Sequence, residues 1–184
     1  MRINRFFLFA GLILVAMLTR LIPHAPNFTA VTAVGIFAGF TFKKRILALL
    51  VPFMALWLSD LIINNVVYSG YYEGFTFLTE GFLWIYGGMA VAVIIGMFGL
   101  RGFKLTALLL GGLSAAVSFY LITNFGSWLG SSLYPPNFYG LIASYIAGLP
   151  FLLNQILGTL VYGSILFGSA YVLKIKPATS RADA

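Results

Sequence analysis

The sequence predicts an all-α polytopic membrane protein: a bundle of six transmembrane helices with both termini cytoplasmic and long external loops. Three observations predict it. Of 184 residues, 61% are hydrophobic and 8% charged, more apolar surface than a soluble core of this length can hide. The apolar residues fall into blocks near the roughly 20 residues that a helix needs to cross about 30 Å of hydrocarbon. The basic residues, which give a formal charge of +7, sit between those blocks and form no patch.

The first block runs from Phe6 to Ile22, after Arg2 and Arg5. Two arginines before an apolar run also open a secretion signal. No A-x-A site follows, however, and Arg20, Pro23 and Pro26 come at its end, so it is expected to stay as a membrane helix. The second block, Phe28 to Phe42, is short for a span and is expected in thinned bilayer or beneath protein. The third is Ile46 to Val66, the fourth Phe82 to Leu100, the fifth Leu105 to Phe125 and the sixth Pro150 to Leu173. Pro150 is expected at the first helical position, where a missing N–H costs nothing.

Direction follows from charge. Lys43, Lys44 and Arg45 follow the second block, Arg101 and Lys104 join the fourth to the fifth, and Lys174, Lys176 and Arg181 follow the sixth. With six crossings all of these share one side with Arg2 and Arg5, and only Arg20 lies opposite, so that side is cytoplasmic. Residues 1–176 are expected to form one transmembrane domain and 177–184 a short, disordered cytoplasmic tail. The charge encodes topology, so the lipid bilayer is an expected partner and nucleic acid is not.

The external connections are Pro23 to Asn27, Asn64 to Gly81 and Gly126 to Leu149. The last should contain a short surface helix, Asn137 to Ala147, started by Pro135 and Pro136 and ended near Gly148. Their aromatic content argues for packed caps over disorder.

Asp60 is the one acidic residue inside an apolar block. A carboxylate there costs roughly 2.5 to 3.5 kcal/mol on insertion scales, so it must face a partner or a wet cavity. Trp57, Asp60 and Asn64, at i, i+3 and i+7, share its helix face. Arg20 and Asp60 each lie about 14 residues from the cytoplasmic end of their helix, roughly 21 Å deep, and can be level. The expected arrangement is an ion pair with one partner facing a cavity. Near the same outer end stand His24 and Asn27, Glu80 and Trp84, the one-face series Tyr120, Asn124 and Trp128, and Asn154 with Gln155.

Singly, each has an ordinary role: Trp and Tyr belong in the interfacial belt, and Asn or Gln can join helices. A lone histidine is weak evidence for a metal site. Together they predict an outward pocket, because the inner half is nearly free of Asn, Gln, Asp and Glu. Small residues at Ala10 and Gly11, and at Gly35 and Gly39, permit close helix approach, either inside the bundle or against a partner.

Several chemistries lack their residues. There is no phosphate-cradling G-x-x-x-x-G-K-[ST], no H-E-x-x-H, no G-x-S-x-G and no cysteine. Asp60, Glu73, Glu80 and Asp183 are the only carboxylates, too few to relay protons across a membrane. No catalytic residues, cofactor or metal are expected.

In Arg20-L-I-P-H-A-P-N-Phe28, Leu58-S-D-Leu61, Leu121-I-T-N-F-G-S-Trp128, Tyr134-Pro135 and Gly140-L-I-A-S-Y-I-A-G-L-P-Phe151, the chain resembles a family of small bacterial inner-membrane proteins of unassigned function. That family is similar in architecture to the S components of energy-coupling factor transporters. The resemblance covers nearly all the chain before Lys176. It implies a subunit that captures a vitamin or similar micronutrient from outside, then topples in the membrane when docked to a transmembrane coupling subunit and two ATPases. S components often dock through an Ala-x-x-x-Ala stripe on the first helix. Here that helix offers Ala10, Gly11 and Ala16, with Gly35 and Gly39 as a substitute on the second.

The leading expectation is therefore a substrate-binding membrane subunit whose pocket is lined by the outer polar residues. Two alternatives stand beside it: an assembly protein that binds another membrane protein through its small-residue faces, and an outer-leaflet enzyme using Asp60, His24 and Glu80.

Overall fold

The computed structural model describes residues 4–100, 102–130, 132–175 and 177–178. Its helices are α1 (Arg5–Leu21), α2 (Val31–Thr41), α3 (Arg45–Ile62), α4 (Phe82–Ile94), α5 (Leu105–Gly130) and α6 (Phe138–Val172). Wide π turns extend α3 over Ile63–Val67 and α4 over Ile95–Gly99. With those turns, four helices are long and apolar enough to cross a membrane: Arg45–Val67, Phe82–Gly99, Leu105–Gly130 and Phe138–Val172. Arg2, Arg101, Lys176 and Arg181 lie outside the described residues.

The short helix α2 is the axis of the bundle. Every one of its 11 residues is buried. Its sequence, VTAVGIFAGFT, has apolar and small residues all round, and a helix without a polar stripe belongs inside. It packs on α3, α4 and α6, and also touches α1 and α5. The expectation of a position beneath protein describes it. The helix begins at Val31 rather than Phe28, because residues 25–29 form turns in which the Phe28 N–H donates to the Ala25 carbonyl (2.9 Å) and Asn27 takes φ 64°.

Backbone meets backbone where α2 crosses α4. A Cβ at Gly39 would collide with the Val93 carbonyl, and one at Gly96 with the Ile36 carbonyl; at Gly35 it would come within 3.0 Å of the Met89 sulfur. Gly35 and Gly39 therefore serve close approach inside the bundle, which corrects their assignment to a partner surface. On α1, Ala10 and Gly11 are half-buried, and nothing lies within 4 Å of a Cβ placed on Gly11.

One end of the bundle gathers the basic connections. Phe40 stacks edge-on with Phe103, and Phe103 with Tyr171, at ring separations of 5.2 and 5.7 Å. Arg45 lies over the Phe98 ring at 5.5 Å. The Ala178 N–H donates to the Phe40 carbonyl (2.8 Å), so Pro177 and Ala178, expected in a disordered tail, are docked on the end of α2.

The other end departs most from expectation. α5 does not stop at Phe125 but continues to Gly130, and the expected surface helix and sixth span are one 35-residue helix, α6. At 1.5 Å per residue, α6 is roughly 52 Å long, more than the hydrocarbon thickness. Pro150 sits in its interior and does not open it. Polar clamps hold the part of α6 before Pro150 along α5: the Ser144 hydroxyl donates to the Asn124 carbonyl (2.7 Å), Tyr145 Oη to the Leu121 carbonyl (3.1 Å) and Tyr120 Oη to the Tyr145 carbonyl (2.6 Å). Proline is tolerated within membrane helices because neighbours of this kind hold the chain. The long connection expected over Gly126 to Leu149 thus shrinks, among the described residues, to 132–137, and the helix α6 starts on the Asn137 side chain, which accepts from the Gly140 N–H (3.0 Å).

Gly96→Val is expected to drive α2 and α4 apart and lower stability by about 1–3 kcal/mol, the usual cost of overpacking. Gly163→Ala, with nothing within 4 Å of the new Cβ, should leave the detergent melting temperature unchanged or higher. Parallel thermal melts of the two variants check this.

Candidate functional site

Arg20, near the end of α1, reaches Asp60 on α3 with Nη2 to Oδ1 at 2.6 Å. Its Nη1 donates to the Ser59 hydroxyl (2.6 Å) and to the Leu56 carbonyl (3.1 Å). Ser59 in turn donates into its own helix, at 2.7 Å to the Ala55 carbonyl and 2.9 Å to that of Leu56. The Asp60 side chain is 8% exposed and that of Arg20 is 21%. A pair taken out of water holds only where further hydrogen bonds satisfy the remaining groups. Here the helix backbone and Ser59 supply them on the arginine side.

Arg20 faces a cavity of about 680 Å3 at this end of the bundle. Every helix contributes to its wall: Leu21 from α1, Thr32 from α2, Leu56 from α3, Met89 from α4, Phe119 from α5 and Gln155 from α6. The segment between α1 and α2 adds Pro23, His24, Pro26, Asn27 and Thr29, and the turn after α3 adds Tyr68. The lining is mixed, with apolar walls and a band of hydroxyl, amide, imidazole and guanidinium groups, the composition of a small-molecule site.

The α1–α2 segment is fixed from both sides. Thr19 accepts from the Ala30 N–H (3.1 Å), and Asn154 Nδ2 donates to the Pro26 carbonyl (3.0 Å). Gly158 allows α6 to come in under Thr29, since a Cβ there would lie 3.1 Å from the Thr29 nitrogen. Gln155 Nε2 donates to the Thr32 hydroxyl (3.0 Å), tying α6 to the start of α2 inside the cavity wall. His24 is exposed, and its Nδ1 donates to the Ala25 carbonyl (2.7 Å).

Arg20, His24, Asn27 and Gln155 thus line one cavity, and Asn154 bonds the segment that carries Pro26. Asp60 does not line the cavity. It lies behind Arg20, so its role is to position the guanidinium. The remaining candidates are drawn into packing. Trp57 stacks edge-on against Phe77 at 5.4 Å, and the buried Asn64 donates to the Thr79 hydroxyl (2.9 Å), so both hold the loop after α3. Trp84 fills the space over Gly126 and meets Phe125 at 5.5 Å. Tyr120 bonds to α6. Asn124 donates to the Tyr120 carbonyl (2.8 Å) and packs where Gly148 leaves room. Trp128 Nε1 donates to the Pro135 carbonyl (3.1 Å) and holds the α5–α6 turn. Glu80 is exposed and outside the lining, so Asp60, His24 and Glu80 are not gathered around this cavity.

Three kinds of residue escaped the sequence reading. Thr29, Thr32 and Thr123 line the cavity, yet threonine is too common in membrane helices to stand out. Ser59 adjoins Asp60 in sequence, and a hydroxyl beside a membrane carboxylate was the available signal. Asn65 binds the loop most firmly: its Nδ2 donates to the Thr76 carbonyl (2.8 Å) and its Oδ1 accepts from the Thr76 N–H (2.7 Å).

Comparison with known proteins places the chain in one family. It belongs to a family of unknown function, DUF6580, which matches residues 1–181. No curated protein and no solved structure matches it.

Asp60→Ala leaves a partly buried arginine unpaired and is expected to cost about 3–5 kcal/mol. Asp60→Asn, which keeps an acceptor, should cost less, and thermal unfolding in detergent ranks the two. Asn65→Ala should release the loop after α3 without unfolding the bundle. Cleavage confined to residues 68–81 in limited proteolysis would report it.

Proposed function

We propose that this chain is the substrate-binding subunit of a micronutrient uptake system in the bacterial inner membrane, similar to the S components of energy-coupling factor transporters. One observation carries the reading: a cavity of about 680 Å3, walled by all six helices and lined by one charged helix residue, Arg20. A volume of that size suits a vitamin-sized guest. In this reading six helices traverse the membrane or its protein-filled interior, both termini are cytoplasmic and the cavity opens outward. The gathering of Lys43, Lys44, Arg45 and Lys174 at the opposite end supports that orientation.

The subunit would bind and release its guest unchanged, energised by a separate transmembrane coupling subunit with ATPases. The face of α1 around Ala10 and Gly11, with open space over Gly11, is the surface offered to that partner.

A second reading, an assembly protein for another membrane protein, draws on a different feature. Between α5 and α6 runs an apolar groove of about 390 Å3 that includes Leu108, Gly112, Leu160, Gly163 and Phe167. Within it the buried Thr159 hydroxyl has no hydrogen-bond partner among the described residues. Such a floor also suits a neighbouring helix.

Protein purified in mild detergent is expected to carry a small molecule visible by native mass spectrometry, and Asp60→Asn should reduce its occupancy at least about tenfold, or 1.4 kcal/mol. A stable protein partner with no retained small molecule would favour the assembly reading instead.

A further inference from the structure

The cavity is electrostatically one-sided. Its lining includes Arg20 and His24 but neither Asp nor Glu, since Asp60 stands behind the arginine and Glu80 lies elsewhere. A guanidinium has five N–H donors in a planar fork. Both hydrogens on Arg20 Nη1 are used by Leu56 and Ser59 and one on Nη2 by Asp60, which leaves Nε–H and one Nη2–H without an acceptor among the described residues. The Arg20 side chain is partly exposed and lines the cavity wall.

A second set of donors stands in the same wall. α2 is preceded by Ala30 at the N-cap, a residue that provides no side-chain cap, and Val31 and Thr32 line the cavity. The first N–H with a partner is that of Val34, which donates to the Ala30 carbonyl (2.8 Å). The N–H groups of Val31, Thr32 and Ala33 have no acceptor among the described residues, although these residues are only 3%, 4% and 0% exposed. The Thr32 hydroxyl, which could have served a cap, is engaged by Gln155. Buried helix starts normally find an acceptor, because each orphan donor carries its full desolvation cost. The helix dipole adds about half a positive charge at that point.

We propose that the ligand of this cavity bears an oxyanion, a carboxylate or phosphate, received by the free edge of Arg20 and the first N–H groups of α2. The inference deepens the uptake reading and rests on it for the word ligand, but the donor geometry stands apart from transport. Cationic guests are disfavoured, since the wall offers no carboxylate. Neutral guests would satisfy fewer donors and gain nothing from the dipole. The same oxyanion could arrive on a soluble metabolite or on a lipid headgroup.

The test uses the full chain in neutral detergent, with melting temperature as the readout and four probes of similar size or simpler: benzoate, inorganic phosphate, benzamide and benzylamine. Benzoate, phosphate or both should raise the melting temperature by several degrees, while benzamide and benzylamine should not. Nanodiscs of phosphatidylglycerol against phosphatidylcholine separate the sources: stabilisation by phosphatidylglycerol alone assigns the oxyanion to a headgroup and overturns the uptake reading while keeping the anion site.

Arg20→Gln could fail to fold by stranding Asp60, so the paired variant Arg20→Gln with Asp60→Asn keeps a neutral hydrogen bond in place and should lose the anion response. Thr29→Asp places a carboxylate beside the start of α2 without touching the ion pair. It should raise the melting temperature of the unliganded protein and abolish the benzoate shift. An equal response to benzylamine, or a benzoate shift that survives in both variants, overturns the proposal. So does the absence of any anion response, even if a neutral micronutrient copurifies and the uptake reading stands.

Discussion

The Arg20–Asp60 pair is the constraint on which the cavity half of the bundle depends. Two charges held between membrane helices are tolerable only if each satisfies the other and the surrounding donors and acceptors close the account. That requirement fixes α1 and α3 at one height and orients Ser59, Leu56 and the guanidinium together. It also decides which charge is presented. Asp60 is buried behind, Arg20 is turned to the cavity, and the cavity becomes a place for acceptors.

The second organising feature is α2, a helix too short to span a membrane and buried on every side. Its burial has opposite consequences at its two ends. At the basic end the Phe40 carbonyl is capped by Ala178. At the cavity end three backbone donors are left without an acceptor among the described residues, and two of the residues that carry them, Val31 and Thr32, line the same cavity as Arg20. A glycine contact with α4 at Gly39 and Gly96 holds this helix in register, so the geometry of the cavity rests on backbone packing several turns away.

The α5–α6 pair shows how hydrogen bonding overrides a local signal. Two consecutive prolines, two glycines and a further proline punctuate the sequence from Pro135 to Pro150, and each usually marks a boundary. Ser144 and Tyr145 instead donate to carbonyls of α5, Tyr120 of α5 donates to the Tyr145 carbonyl, and the helix runs through Pro150. The same stitching removes Tyr120, Asn124 and Trp128 from the cavity. They share a helix face, as the i, i+4, i+8 spacing requires, but that face meets α6.

Read without coordinates, the chain discloses what depends on composition and local spacing: an all-α membrane protein, helices near the right places, polar residues at one end and an ion pair between Arg20 and Asp60. These follow because hydrocarbon charges a large free energy for every exposed charge and every unpaired backbone group, which leaves the sequence few ways to comply. Which face of each helix meets which neighbour is not in that signal. Asn154 and Gln155 stand beside the α1–α2 segment while Asn64 and Asn124 hold loop and helix, though all four look alike as membrane amides. Rotation about a helix axis changes no local propensity, so only the packing of the other five helices around α2 could decide which polar groups form a cavity and which merely close the fold.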